Sequence, residues 1–290
     1  MIRALLLAAL LGAAVDAAAF TVRDMHGVDV VLKAPPQRIV SLVPSATELI
    51  YALGGEDRLV GRTDFCDYPP AAKSKTSVGG MISPSLETLV ALKPDLVIVT
   101  SSGNREETFK QIERLGIAVY RVGADRISEV KEVARRMGQL TGREAAVGPL
   151  LDAIDRRVAT VRDAVKPFGR PRVLYVLWPD PLIVPGKKAL VTDLLDIAGA
   201  ESITKADAQD YPRYSLEAAV AKSPEVIVLA NHGSQSGPIA LDRWKRLTSL
   251  PALKAGRIHS VDGNLMHRYG MRVLDGLDQL ARAVHPEAFR

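Results

Sequence analysis

From residue 21 onward, short apolar runs bounded by Gly, Pro, Asn and Asp alternate with stretches whose apolar residues recur every three or four positions. The first pattern marks buried strands and the second marks helices. Residues 21–33 read as a hairpin turning at Met25-His26-Gly27, and 38–43 as a strand. A helix over 44–53 follows, ended by Gly54-Gly55, then a strand over 58–61 and a polar, Pro-rich loop over 64–75. Beyond it the spacing predicts helix 85–92, strand 95–100, helix 106–115, strand 117–122 and helix 128–140. Later residues repeat the alternation: strand 172–177, a turn at 178–181, helix 190–198, helix 216–222, strand 225–230, a loop over 231–237, helix 241–246, strand 257–261 and helix 272–284. Strands separated by helices imply mostly parallel sheets covered on both faces.

One segment occurs twice, as SLETLVALKPDLVIVT over 85–100 and as SLEAAVAKSPEVIVLA over 215–230, with six identical positions at an offset of 130. Each copy reads as a Ser-capped helix, a Pro that stops it and a buried strand. A single pair at this spacing predicts two similar α/β lobes, whereas a solenoid repeats every few dozen residues. Between the copies, Leu150, Leu151, Ile154, Val158, Val161 and Val165 recur at helical spacing. They predict a helix over about 149–166, with Pro149 in its first turn. A continuous helix is a stiff connector, so hinge motion should be limited. The expected division is lobe 20–142, interlobe helix 143–168 and lobe 169–290. A cleft between two lobes is a natural place for a small molecule.

Composition narrows the classes. The 290 residues are 47% apolar with a net charge of +5, and acids and bases are interspersed. That supports a real core and gives no basic block of the nucleic-acid-binding kind. Arg3, the apolar run 4–15 and Ala17-Ala18-Ala19 follow the order of a cleavable secretory signal over 1–19. No Cys follows that run, so a lipid anchor is not expected, and the mature chain should be periplasmic. Cys66 is the one cysteine, which rules out an internal disulfide and suggests a buried, inert thiol. Nucleophile-elbow, zinc-protease, dinucleotide and Cys/His zinc signatures are missing. Pro185-Gly186-Lys187-Lys188 only faintly resembles a phosphate loop and reads as a tight turn before a helix. An exported α/β enzyme would need a catalytic constellation, and the sequence offers none.

Arg38 to Glu48 (RIVSLVPSATE) resembles the opening strand and helix of the periplasmic vitamin B12- and iron-chelate-binding proteins. DFCDYPP over 64–70, Val78-Gly79-Gly80 and the first repeat copy are most similar to the B12-binding branch. The resemblance implies a class III fold, two Rossmann-like lobes joined by a rigid helix. It implies no catalysis and no cofactor: a monomer that captures cobalamin and hands it to an inner-membrane ABC permease with its ATPase. Haem or a ferric siderophore is the alternative cargo, and a scaffold with an empty cleft a further one.

Glu87 and Glu217 hold the same place in the two copies. Each would sit in a helix's first turn, where a carboxylate suits the dipole. The resemblance adds permease docking, one Glu per lobe. For the ligand, it implies Phe65, Tyr211 and Trp178 as aromatic contacts. Met81 stands where a bulky aromatic is found, and Asn264 near a polar contact. For each ring, core packing is the ordinary alternative. His267 or Tyr269 could ligate haem iron, as both residue types serve as axial ligands. The remaining histidines show no ligand spacing among themselves, so no resident metal is expected.

Overall fold

The computed structural model describes residues 19–232, 244, 247 and 249–290. The expected leader, up to residue 18, lies outside them, as does the helix expected over 241–246 apart from Trp244. A hairpin, β1 (Phe20–Arg23) and β2 (Asp29–Leu32), leads into the first lobe. There β3 (Ile39–Ser41), β4 (Leu59–Arg62), β5 (Thr76–Ser77), β6 (Leu96–Val99) and β7 (Ala118–Arg121) form a parallel sheet ordered β5-β4-β3-β6-β7. Helices α1 (Pro44–Ala52), α2 (Leu86–Ala91), α3 (Glu106–Arg114) and α4 (Ile127–Thr141) link the strands. In the second lobe β8 (Arg172–Val176), the tight hairpin β9 (Trp178–Pro179) and β10 (Leu182–Ile183), β11 (Glu201–Ser202), β12 (Val226–Asn231) and β13 (Ile258–Asp262) follow in chain order. Its parallel sheet is ordered β11-β8-β12-β13. Long α5 (Glu144–Val165) lies between the two sets. The second lobe adds α6 (Leu190–Ile197), α7 (Leu216–Ala221), α8 (Pro251–Lys254), α9 (Gly263–Met266) and α10 (Val273–Val284). This is the two-lobed α/β architecture expected from the repeat.

Some elements differ from the sequence reading. α5 begins at Glu144, so Pro149 lies inside it, where the ring removes one intrahelical donor without ending the helix. The loop over 64–75 contains a 3-10 turn, Pro70–Ser74. The turn at 178–181 is the tip of the β9–β10 hairpin, and β12 runs on to Asn231.

The repeat extends into backbone detail. Ser85 and Ser215 accept from the amides of Thr88 and Ala218, capping α2 and α7. Lys93 (φ 47°) and Ser223 (φ 45°) occupy the left-handed region at equivalent positions, each just before a Pro. Arg38 donates to the Leu92 carbonyl at 2.7 Å, and Arg172 to that of Lys222 at 3.3 Å. Asp95 and Glu225 accept the backbone amides of those same arginines. In both lobes, then, the arginine that opens a strand clasps the end of the capped helix.

Strand side chains alternate between two cores. Ile39, Ile98 and Tyr120 of the first sheet and Val173, Tyr175 and Val228 of the second belong to one buried cluster. Their neighbours Val40, Val97 and Val99 face a separate outer core, as do Leu174, Ile227 and Leu229 in the other lobe. The shared cluster runs through α4, α5, α6 and α10, so one core lies under both sheets. Polar links cross it. Asp193 of α6 accepts the Ile127 amide at the start of α4 at 2.8 Å. Arg157 of α5 bonds Asp278 of α10. Buried Glu48 of α1 faces Arg268 at 3.2 Å and Arg272 at 3.5 Å, and Arg268 also reaches Asp67 at 3.1 Å. The Arg272 guanidinium lies 4.4 Å from the Tyr68 ring. Burial pushes the Glu48 carboxyl above its ordinary range, against the pull of Arg268 and Arg272. Such a buried cluster adds little net stability, but removing one partner leaves a charge uncompensated.

Arg268→Ala should destabilise the protein by about 3 kcal/mol, because it strips a partner from a buried carboxylate. Denaturant unfolding at pH 7.5 and pH 5 checks this. The deficit should shrink on acidification, since a protonated Glu48 no longer needs the cation, and an equal deficit at both pH values contradicts the account.

Candidate functional site

Where strand order reverses in a parallel sheet, the connections leave the carboxyl ends of neighbouring strands in opposite directions and open a crevice. Both sheets have such a point, between β3 and β6 and between β8 and β12. The lobes turn these ends toward a shared cavity of about 600 Å³. The first lobe lines it with Thr100, Ser101 and Ser102 after β6, Gly123 to Asp125 after β7, and Glu129 on α4. The tip of the leading hairpin adds Met25 and His26, and the His26 Nε2 lies 3.3 Å from Ser101 Oγ. From the second lobe come Lys188 and Leu190 at the start of α6, then Asp210, Tyr211, His267 and Tyr269.

In the second lobe Tyr211 and His267, which line the cavity, begin a band of rings that continues to His232 and Trp178. Tyr211 lies 6.1 Å from His267 and His232 5.5 Å from it, with Trp178 6.3 Å beyond His232. The Tyr175 hydroxyl is 3.0 Å from His267 Nε2. His267 Nδ1 is enclosed and has no hydrogen-bond partner among the described residues. Burial, helped by nearby His232, holds the His267 imidazole down at about 3. Gly263 permits the arrangement: a Cβ there would fall 2.3 Å from the His232 ring. Burial also raises the Tyr211 hydroxyl, with Asp125 and Asp210 adding to the shift.

Acidic groups from both lobes also line the cavity. Asp125, Glu129 and Asp210 line the cavity against one ammonium, Lys188. Burial first, then the Glu129 and Asp210 carboxylates, raise the Asp125 carboxyl. The loop bearing Asp210 is clamped by the Gly186 turn. Gly186 and Lys187 donate their amides to the carbonyls of Asp210 and Asp207, both at 2.8 Å. A Cβ on Gly186 would meet the Gln209 carbonyl oxygen at 1.8 Å. Those amides are spent on this loop, so the segment is no phosphate cradle.

Of the residues singled out from sequence, the structure gathers Trp178, Tyr211 and His267 into the ring band. Phe65, 54% exposed, and half-buried Met81 sit on first-lobe loops without a ring contact to that band. Met81 is tied to Asn104, which donates to its carbonyl at 2.8 Å. Asn264 is exposed, and its side-chain oxygen accepts from Arg268 at 3.5 Å. Tyr269 is buried with its hydroxyl on the Val122 carbonyl at 3.4 Å, a link between lobes and not an open metal ligand. Glu87 and Glu217 are both exposed, outside the cavity, in the first turns of α2 and α7. Buried Cys66 bonds Thr63, and burial pushes its thiol up, as suits an inert residue. Among the described residues no three His, Cys, Asp or Glu side chains are grouped to hold a metal ion, and no helix is long and apolar enough to cross a membrane. Tyr175, His232, Asp125 and Asp210 were not anticipated as site residues. The available signal was position, since His232 directly follows β12 and Asp125 lies in the loop after β7.

The buried imidazole carries a pH dependence. An ordinary histidine titrates near 6.5 and His267 near 3, so below 6.5 the unfolded chain takes up a proton that the folded protein refuses. Stability from this group is complete above pH 6.5 and is lost as pH falls toward 3. At pH 4 the loss is roughly 3 kcal/mol, at about 1.4 kcal/mol per pH unit. Urea unfolding at pH 7.5 and pH 4 should show a smaller drop for His267→Gln than for the unmodified protein; equal drops contradict a buried neutral imidazole.

Known proteins share this architecture. A profile of the periplasmic binding protein family matches residues 39–265. An uncharacterised ABC transporter substrate-binding lipoprotein of Bacillus subtilis (strain 168) is 30% identical, over 93% of this chain and 87% of its own. The vitamin B12-binding protein of Vibrio vulnificus (strain CMCP6) is 27% identical, over 85% of this chain and 89% of its own. A periplasmic haem-binding protein from Pseudomonas aeruginosa superposes with a TM-score of 0.75 at 29% identity, covering 87% of this chain and 93% of that one. The chain belongs to the periplasmic binding protein family, within the non-enzymatic ABC transporter substrate-binding proteins that include vitamin B12, haem and siderophore binders.

Proposed function

We propose that the protein captures a corrinoid of the cobalamin type between its lobes in the periplasm and delivers it to an ABC permease. The observation that carries this reading is the ring band. Tyr211 and His267 line the interlobe cavity and meet edge to face, and His232 and Trp178 extend the rings from His267, giving aromatic surface suited to a broad, mostly apolar macrocycle. Relatives with B12-binding names support it. A corrinoid brings its own axial ligands, which agrees with Tyr269 being spent on a contact between lobes. Haem is the second reading, favoured by the partnerless His267 Nδ1 beside the cavity. Phe65, on the exposed loop at the first lobe's edge, and Met81 would close over the ligand from that side, and Asn264 would meet its polar edge.

Titration calorimetry with cyanocobalamin, and haemin in parallel, tests the cargo. One-to-one cobalamin binding at micromolar or tighter affinity is expected, weakened about tenfold or more by Trp178→Ala or Tyr211→Ala, since aromatic contacts dominate such sites. Haemin binding alone, abolished by His267→Ala, would replace cobalamin with haem.

Delivery needs a surface that two permease subunits can read. Glu87 and Glu217 are exposed, stand on equivalent capped helices and make no ion pair among the described residues. They would meet basic permease residues, one from each lobe; such charges steer encounter and fix register. The double variant Glu87→Ala/Glu217→Ala should keep ligand affinity and melting temperature but lose permease binding at least tenfold in a pull-down or surface-binding assay. Unchanged docking would reject this assignment.

A further inference from the structure

We infer that Asp125 and Asp210 act as a charge filter, selecting macrocycles edged with amides over those edged with carboxylates; this rests on the corrinoid reading above. Three carboxylates and one ammonium line the cavity. Glu129 is partly occupied: one oxygen accepts the Asp125 amide at 2.7 Å and the other lies 3.6 Å from Arg126. Among the described residues Asp125 and Asp210 make no ion pair, so their acceptor oxygens remain for a ligand. Lys188, the cavity's ammonium, is exposed and likewise makes no ion pair among the described residues. A separate observation concerns the same cavity: the enclosed Nδ1 of His267, another lining residue, has no hydrogen-bond partner among the described residues.

A corrin ring carries primary amides around its periphery. Each amide N–H can donate to a carboxylate, a charge-assisted bond that a neutral acceptor makes less strongly. Hydrolysing one amide to an acid removes the donor at neutral pH and sets like charges side by side, in a cleft where screening is weaker than in bulk solvent. Sites built to accept an N–H discriminate strongly against analogues that lack it. The clamp at Gly186 matters here, because it fixes the Asp210 loop before any ligand arrives. The same filter would disfavour the two propionates of haem.

The test is calorimetric titration of the whole exported protein with cyanocobalamin and with each isomeric monocarboxylate made by mild acid hydrolysis of one peripheral propionamide, at pH 7.5. At least one isomer should bind about ten- to a hundredfold more weakly than cyanocobalamin. In Asp125→Asn/Asp210→Asn that ratio should fall to about threefold or less, and in Lys188→Gln it should widen. The readout is a ratio within each folded variant, so a general loss of affinity does not mimic it. Equal affinity for cyanocobalamin and every monocarboxylate, or a ratio untouched by Asp→Asn, overturns the filter while leaving the corrinoid reading in place. No binding of cyanocobalamin by the unmodified protein overturns both.

Discussion

The structure depends on one buried apolar cluster that lies beneath both sheets. Two separate α/β lobes on a flexible tether would each bury their own faces and move freely. Here the inner faces of both sheets and α4, α5, α6 and α10 share a core. Separating the lobes would expose that surface, at about 25 cal/mol for every Å² of apolar area. The Glu48–Arg268–Asp67 cluster sits at the same seam and would be left with unmatched charges if the lobes parted. Hence the cavity is held largely preformed, and only the outer loops are left to adjust around a ligand.

That rigidity explains how the site can be assembled from such distant parts of the chain. The carboxyl ends of parallel strands are where backbone groups run out of sheet partners and loops diverge. Fixing two sheets so that these ends face each other brings residues from hairpin tip to α9 around a single cavity. The cost of ordering them falls on folding and not on binding, which favours affinity. The buried His267 imidazole is likewise fixed in advance, kept neutral by its burial among Tyr175, Tyr211 and His232.

Much of the fold was legible because its signals are local. Ser caps, helix-stopping prolines and period-two or period-3.6 apolar runs fix α2, β6, α7 and β12, and the repeat joins them into two lobes. Pro149 misled because proline is only a weak stop once packing on α4 and α10 holds the helix on either side. The site was legible in part. Trp178 and Tyr211 stand out as aromatics next to strands and turns, but His232 and His267 are 35 positions apart and become neighbours only through the pairing of β12 with β13. Asp125 and Asp210 read as ordinary surface acids until the lobes are assembled. Tyr269 had the right chemistry for a metal ligand, yet its hydroxyl is consumed by a carbonyl of the other lobe, a fact invisible to composition or spacing.

The two lobes are alike on the outside and unlike within. The arginine clasps, the left-handed residues before proline and the capped helices bearing Glu87 and Glu217 are duplicated nearly group for group. The cavity walls are not: the first lobe offers hydroxyls and carboxylates from Thr100 to Glu129, the second the rings of Tyr211, His267 and Tyr269 beside Lys188 and Asp210. The permease docking proposed for Glu87 and Glu217 would constrain both lobes equally and favour matching outer features. A ligand with one apolar face and one polar edge imposes the opposite demand, because each wall meets different chemistry. Duplicated scaffolding with divergent strand-end loops satisfies both constraints at once, since the loops can change without disturbing the clasps at the far ends of the same strands.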